Sequence, residues 1–174
     1  MLEDVLAACV PVGRTLLVTG PDGEAARTLA QRLGVEVVAD PRKGQGEAVA
    51  EALARVGEGE VLVVNADLPC ATSRDLLALL GAKPAGGIAL VRAADGTTNA
   101  LALAAAWLFA PLYGAGSADR FAERAQRLGV EAVEVDLPNL AHDVDTLADL
   151  ERIEGSVGSS TKRSLLGLRV PLVR

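Results

Sequence analysis

The stretch EVLVVNADLPC, residues 60–70, joins a run of strand-forming residues to an aspartate and then a proline. Val61 to Val64 carry no polar alternation. Such a run predicts a strand buried on both faces, and sheets with both faces covered by helices are where such strands occur. In sheets of that kind ligands sit beyond the carboxyl ends of the strands. Asp67 falls at that end, ahead of the turn that Pro69 imposes. A carboxylate there can hold a divalent metal, or it can be a turn aspartate that caps the next segment.

Working outward, apolar runs alternate with amphipathic ones. TLLVT (15–19), VEVVA (35–39), GIALV (87–91), NALALAA (99–105) and VEAVEVD (130–136) read as strands. DGEAARTLAQRLG (22–34), GEAVAEALARVG (46–57), SRDLLALLG (73–81), SADRFAERAQRLG (117–129) and TLADLERIE (146–154) read as helices, with Ser73 and Ser117 at helix starts. This alternation predicts an α/β domain over residues 1–154, a Rossmann-like, mostly parallel sheet with helices on both faces. GSVGSSTKRSLLGLRVPLVR (155–174) shifts to glycine, serine and basic residues and reads as a C-terminal tail with a short apolar element that docks.

The composition narrows the function. Half of the 174 residues are hydrophobic but only 2% are aromatic, so alanine, leucine and valine must build the core, and Trp107 and Phe109 are expected to pack. A formal net charge of -6 argues against broad nucleic-acid binding, which needs a basic face, but not against a nucleotide. No apolar run approaches the roughly 18 residues that span a membrane. Two cysteines far apart, Cys9 and Cys70, make neither a disulfide framework nor a zinc site, and a reducing cytoplasm is the simplest setting. Cys70 is expected to pack.

Three loops carry chemistry. NADLPC (65–70) has been described. DGTTNAL (95–101) and YGAGS (113–117) are small, polar and glycine-bearing. Glycine lets backbone N–H groups approach an anion, and Ser117 opens a helix whose N-terminus favours negative charge. The two segments can cradle a phosphate or carboxylate, or be ordinary turns, since DG is also a hairpin signal. In HDVDTLADL (142–150), Thr146 with Asp149 matches a capping box. That accounts for Thr146 but not for Asp143. Asp67, Asp143 and Asp145 together form an oxygen-donor set typical of magnesium, and magnesium held by few carboxylates suggests phosphoryl or nucleotidyl transfer. His142 is as well explained as a structural residue. DPRKGQGEAV (40–49) can touch a base or ribose, or be a loop and helix start.

NADLP, TTNAL, YGAGS and DVDT..DL, in this order, resemble the 2-phospho-L-lactate and phosphoenolpyruvate guanylyltransferases of coenzyme F-420 biosynthesis, over about residues 1–152. The resemblance implies a GT-A nucleotidyltransferase fold and transfer of GMP from GTP to the phosphate of a small phosphorylated three-carbon acid, with release of pyrophosphate. It implies magnesium on Asp67, Asp143 and Asp145, and acceptor contacts from Thr98, Gly114 and Ser117. Gly44, Gln45 and Gly46 become the candidate nucleotide contacts. The reading includes no nucleic acid and no membrane among the partners, and it allows a homodimer. A molybdopterin-type nucleotidyltransferase of the same fold, and a binding protein that has lost its nucleotide loop, are the competing readings.

The chain departs from that family's pattern in places. MLEDVLAAC (1–9) looks like the second half of the first helix; the preceding strand, basic loop and lysine do not appear. Gly46 stands where asparagine is common, and Phe121 where histidine is common. The absent strand would lie between TLLVT and VLVVN. Either the natural start is upstream of Met1, which is favoured, or the remaining strands re-pair.

Overall fold

The computed structural model describes residues 1–153 and 156–169. It begins with α1 (Leu2–Cys9), then β1 (Leu16–Thr19), α2 (Glu24–Leu33), β2 (Glu36–Ala39), α3 (Gln45–Leu53) and β3 (Val61–Val64). There follow α4 (Ser73–Ala82), β4 (Ile88–Arg92), β5 (Thr98–Leu103), a 3-10 turn at Ala106–Leu108 and α5 (Ser117–Leu128). The described chain closes with β6 (Ala132–Glu134), α6 (Pro138–Ala141), α7 (Leu147–Ile153) and α8 (Ser159–Arg169), so helix α8 runs through the segment read from sequence as a tail.

Local chemistry sets the boundaries. α2 and α5 end where Gly34 and Gly129 take φ of 70° in the left-handed region, conformations that favour glycine. α4 starts at Ser73, where the sequence places it. Thr72, not Ser73, is its N-cap, in a capping box with Asp75. The Ser73 hydroxyl instead donates to the Ala8 carbonyl at 2.9 Å, tying α4 to α1.

The strands form two sheets. β1 pairs with β2 in parallel; the other sheet has the order β3-β5-β4-β6. β3, β4 and β6 share one direction and β5 runs against them. That reversal comes from the hairpin between β4 and β5, closed by Ala93 N donating to Thr97 O at 2.9 Å and by Thr97 donating to the Asp95 carboxylate. Every residue of β5 is buried. Alternation then splits the side chains between two cores. Ala89, Val91, Ala100 and Ala102 meet α1, α4 and α6 on one face. Ile88, Leu90, Leu101 and Leu103 meet α5 on the other. The second core holds the aromatic residues Phe109, Tyr113 and Phe121, with Tyr113 edge-on to Phe121 at 5.5 Å. Phe109 packs as expected; Trp107 does not, and stands 63% exposed on the short 3-10 turn.

β1 and β3 have not re-paired. No backbone hydrogen bond joins them among the described residues. Between them runs a trough of about 1030 Å³, with α1 and α3 among its walls, and Asp67, Asp143 and Asp145 also line it.

Candidate active site

Asp67 sits just beyond the carboxyl end of β3. Asn65 N donates to Asn99 O at 2.9 Å, so the chain leaves β3 still held to β5. Leu68, fully buried, anchors the other side, and the turn closes with Ala71 N donating to Leu68 O at 3.1 Å. Asp67 is therefore placed by a strand before it and a core leucine after it.

The other two carboxylates arrive from the segment between α6 and α7. Val144 is buried, and its N–H donates to the Asp67 carbonyl at 3.1 Å. Residues two apart in extended backbone face the same side. With Val144 turned inward, Asp143 and Asp145 both turn toward Asp67, and one carboxylate oxygen from each of the three lies within 4.8 Å of the others. Thr146 caps the next helix with Asp149, through bonds of 2.7 and 3.3 Å, which accounts for the capping-box pattern.

These carboxylates fit a divalent cation. Asp67 Oδ1 is buried and has no hydrogen-bond partner. Burial, and then the neighbouring charges of Asp143 and Asp145, hold the Asp67 carboxyl above the usual range. A hard divalent cation would satisfy the orphaned oxygen and offset the repulsion, and an all-oxygen donor set suits magnesium.

The loop read from sequence as an anion cradle borders the same trough. Gly114 has φ of 107°, a value that favours glycine, and Gly116, the N-cap of α5, has φ of 69°. Ser117 and Thr98 are both buried, and the Ser117 hydroxyl donates to Thr98 Oγ1 at 3.1 Å. Thr98 and Gly114 border the trough. Arg120 staples this loop: its guanidinium donates to Leu112 O at 2.7 Å, to Tyr113 O at 3.1 Å and to Ala115 O.

Gly44, Gln45 and Gly46 open α3. They form a smaller pocket of about 320 Å³ with Lys43, Pro111 and Gly114. At Gly46 a Cβ would come within 2.7 Å of Pro111, so α3 and the loop before Tyr113 touch only because no side chain intervenes. The site thus brings the predicted nucleotide residues against the predicted acceptor loop. His142 is exposed, and Cys70 is buried as a packing residue, with burial and the Asp4 charge holding its thiol above the usual range.

Sequence reasoning missed the polar chain that links these parts. Gln45 Nε2 donates to Asn65 Oδ1 at 2.8 Å; Asn65 Nδ2 donates to Thr98 O at 3.3 Å; Asn99 Nδ2 donates to Asp143 Oδ1 at 3.4 Å. One signal was there. Asn99 lies in an otherwise apolar strand, and a buried amide needs partners.

A family model described as a MobA-like NTP transferase domain matches residues 1–134. The chain belongs to this family. The match takes in Asp67, Thr98, Gly114 and Ser117 and ends before Asp143. Among individual relatives, the chain is 37% identical to the phosphoenolpyruvate guanylyltransferase of Sphaerobacter thermophilus, over 94% of this chain and 83% of that protein. It is 35% identical to the enzyme of the same name from Nocardia farcinica, over 95% of this chain and 76% of that one. A nucleotidyl transferase from Methanothermobacter thermautotroptrophicus shares the fold with a TM-score of 0.69 at 18% identity, over 88% of this chain and 77% of that one. A putative nucleotide-diphospho-sugar transferase from Desulfovibrio desulfuricans does so with 0.66 at 18%, over 93% and 75%.

Proposed function

We propose that this chain is a guanylyltransferase that moves GMP from GTP onto the phosphate of phosphoenolpyruvate or 2-phospho-L-lactate, with release of pyrophosphate, in coenzyme F-420 biosynthesis. The convergence of three carboxylates with an anion loop at one end of the trough carries this reading. The names of the relatives, at 37% and 35% identity, support it. In this reading Asp67, Asp143 and Asp145 hold magnesium, whose chemistry there is to neutralise and orient phosphate oxygens. Asn99 holds Asp143 from the β5 side. Gly44, Gln45 and Gly46 hold the nucleotide, with the first-turn N–H groups of α3 free of any side-chain cap. Gly114 and Thr98 take the acceptor; Ser117 acts by fixing the Thr98 hydroxyl. Arg120 keeps the loop in the shape that exposes Gly114. The setting is cytoplasmic, consistent with there being no helix long and apolar enough to cross a membrane among the described residues.

Pyrophosphate release from GTP and magnesium, with each acceptor supplied separately, tests this. Asp67→Asn, Asp143→Asn and Asp145→Asn should each lower turnover by about a hundredfold or more while the circular dichroism spectrum stays native. Near-normal turnover from all three, in a protein that is active, would remove the metal assignment.

A further inference from the structure

Asp67 Oδ1 has no hydrogen-bond partner among the described residues, so the backbone carries much of what positions this carboxylate. That backbone is held from two sides. Val144 N donates to the Asp67 carbonyl at 3.1 Å, and Gly158 N donates to the Pro69 carbonyl at 2.7 Å. The second bond brings in α8. Gly158 immediately precedes that helix, whose first N–H groups have no partner within the helix. Asp4 of α1 supplies one. Its carboxylate, 7% exposed, accepts Ser160 N at 2.9 Å, Thr161 N at 2.8 Å and the Thr161 hydroxyl at 2.6 Å. A negative charge at a helix N-terminus also meets the positive end of the helix dipole. Gly158 has no room for a side chain, because a Cβ there would collide with the Asp4 carboxylate.

We propose that Asp4 is a positioning residue for Asp67, acting through the capped N-terminus of α8 and the Gly158–Pro69 hydrogen bond. Asp4 touches neither substrate nor metal. It fixes where Gly158 stands, Gly158 fixes Pro69, and Pro69 lies two residues from the carboxylate that must face Asp143 and Asp145. The proposal rests on the reading of Asp67 as a metal ligand.

The test is Asp4→Asn in the full chain, with Gly158→Ala as a second variant. Asparagine keeps the shape and one acceptor oxygen but turns an N–H₂ toward the remaining donors, so the charge and part of the cap are lost. Two quantities are read well below Tm: Mn²⁺ affinity by titration, and amide exchange at Gly158 and Val144 by NMR. The proposal expects faster exchange at both amides and Mn²⁺ affinity weaker by about tenfold, the usual scale for loss of a group that supports a ligand. Faster exchange at Gly158 alone, with Val144 exchange and Mn²⁺ affinity unchanged, would overturn it and leave Asp4 a cap for α8 only. If the parent chain binds no Mn²⁺, the metal reading has failed, and the Val144 amide still decides the proposal. If Asp4→Asn does not fold, Gly158→Ala is judged by the same two readouts.

Discussion

At the residue scale, the carboxylate proposed to hold a metal is a poor contributor to the metal-free fold. Asp67 is held above the usual carboxyl range first by burial and then by Asp143 and Asp145. A carboxyl whose folded pKa is raised binds more protons folded than unfolded, so it lowers stability as pH rises from the unfolded value, about 3.9, through the folded one. Asp67→Asn should therefore raise Tm at neutral pH in EDTA and abolish the further rise that Mn²⁺ gives the parent. A lower Tm in EDTA would show that the carboxylate has a partner in the native state. Tyr113 makes a similar case. Its hydroxyl is buried without a partner among the described residues, and burial pushes its pKa up. Tyr113→Phe keeps the edge contact with Phe121 and removes an unsatisfied polar group, so it should stabilise by about 1 kcal/mol, or about 3 °C in a domain of this size. Thermal denaturation of the two proteins decides it.

At the element scale, the N-terminus of α8 is held by the Asp4 carboxylate, beside the Gly158–Pro69 hydrogen bond. Burial works to raise the Asp4 pKa, but the Thr161 hydroxyl, the Ser160 and Thr161 N–H groups and the Met1 amine outweigh it, and the carboxyl ends below the usual range. A carboxyl with a depressed folded pKa contributes stability that is present above its unfolded value, about 3.9, and lost as pH falls through the folded one. Acidification below about pH 4 should therefore weaken the α8 attachment, seen as faster exchange at Thr161 when samples are matched for intrinsic exchange rate. In Asp4→Asn the same acid step should change little, because no titrating cap remains. An equal response in the two proteins would place the acid sensitivity elsewhere. The small residues at element ends are read by the same physics: Gly34 and Gly129 end α2 and α5 in the left-handed region, where any Cβ adds strain.

At the scale of the whole molecule, the defining feature is the divided sheet. β1 and β3 present unpaired edges to a trough of about 1030 Å³, walled in part by α1 and α3. Buried backbone groups need partners, and each of these two edges lacks a neighbouring strand among the described residues.

Local patterns carried much of this structure. The apolar run at 61–64, the glycine stops and the Thr146–Asp149 box are legible in sequence because they depend on neighbours within a turn or two. The spacing of Asp143 and Asp145 is legible too, since a buried Val144 between them dictates a shared side. Other features have no local signature. The reversal of β5, its place between β3 and β4, and the division of the sheet are decided by which distant edges compete for the same backbone hydrogen bonds. The docking of α8 is decided by an aspartate 157 positions away, through a charge that reads in sequence as one more acidic residue on a helix. Sequence alone determined most of the strands and helices, though not α6 or α8, and which loops carry carboxylates and glycines, because period and turn chemistry are short-range. Only the tertiary structure decided that Asp67 faces Asp143 and Asp145, and what holds it there, because burial and backbone pairing are settled between segments far apart in the chain.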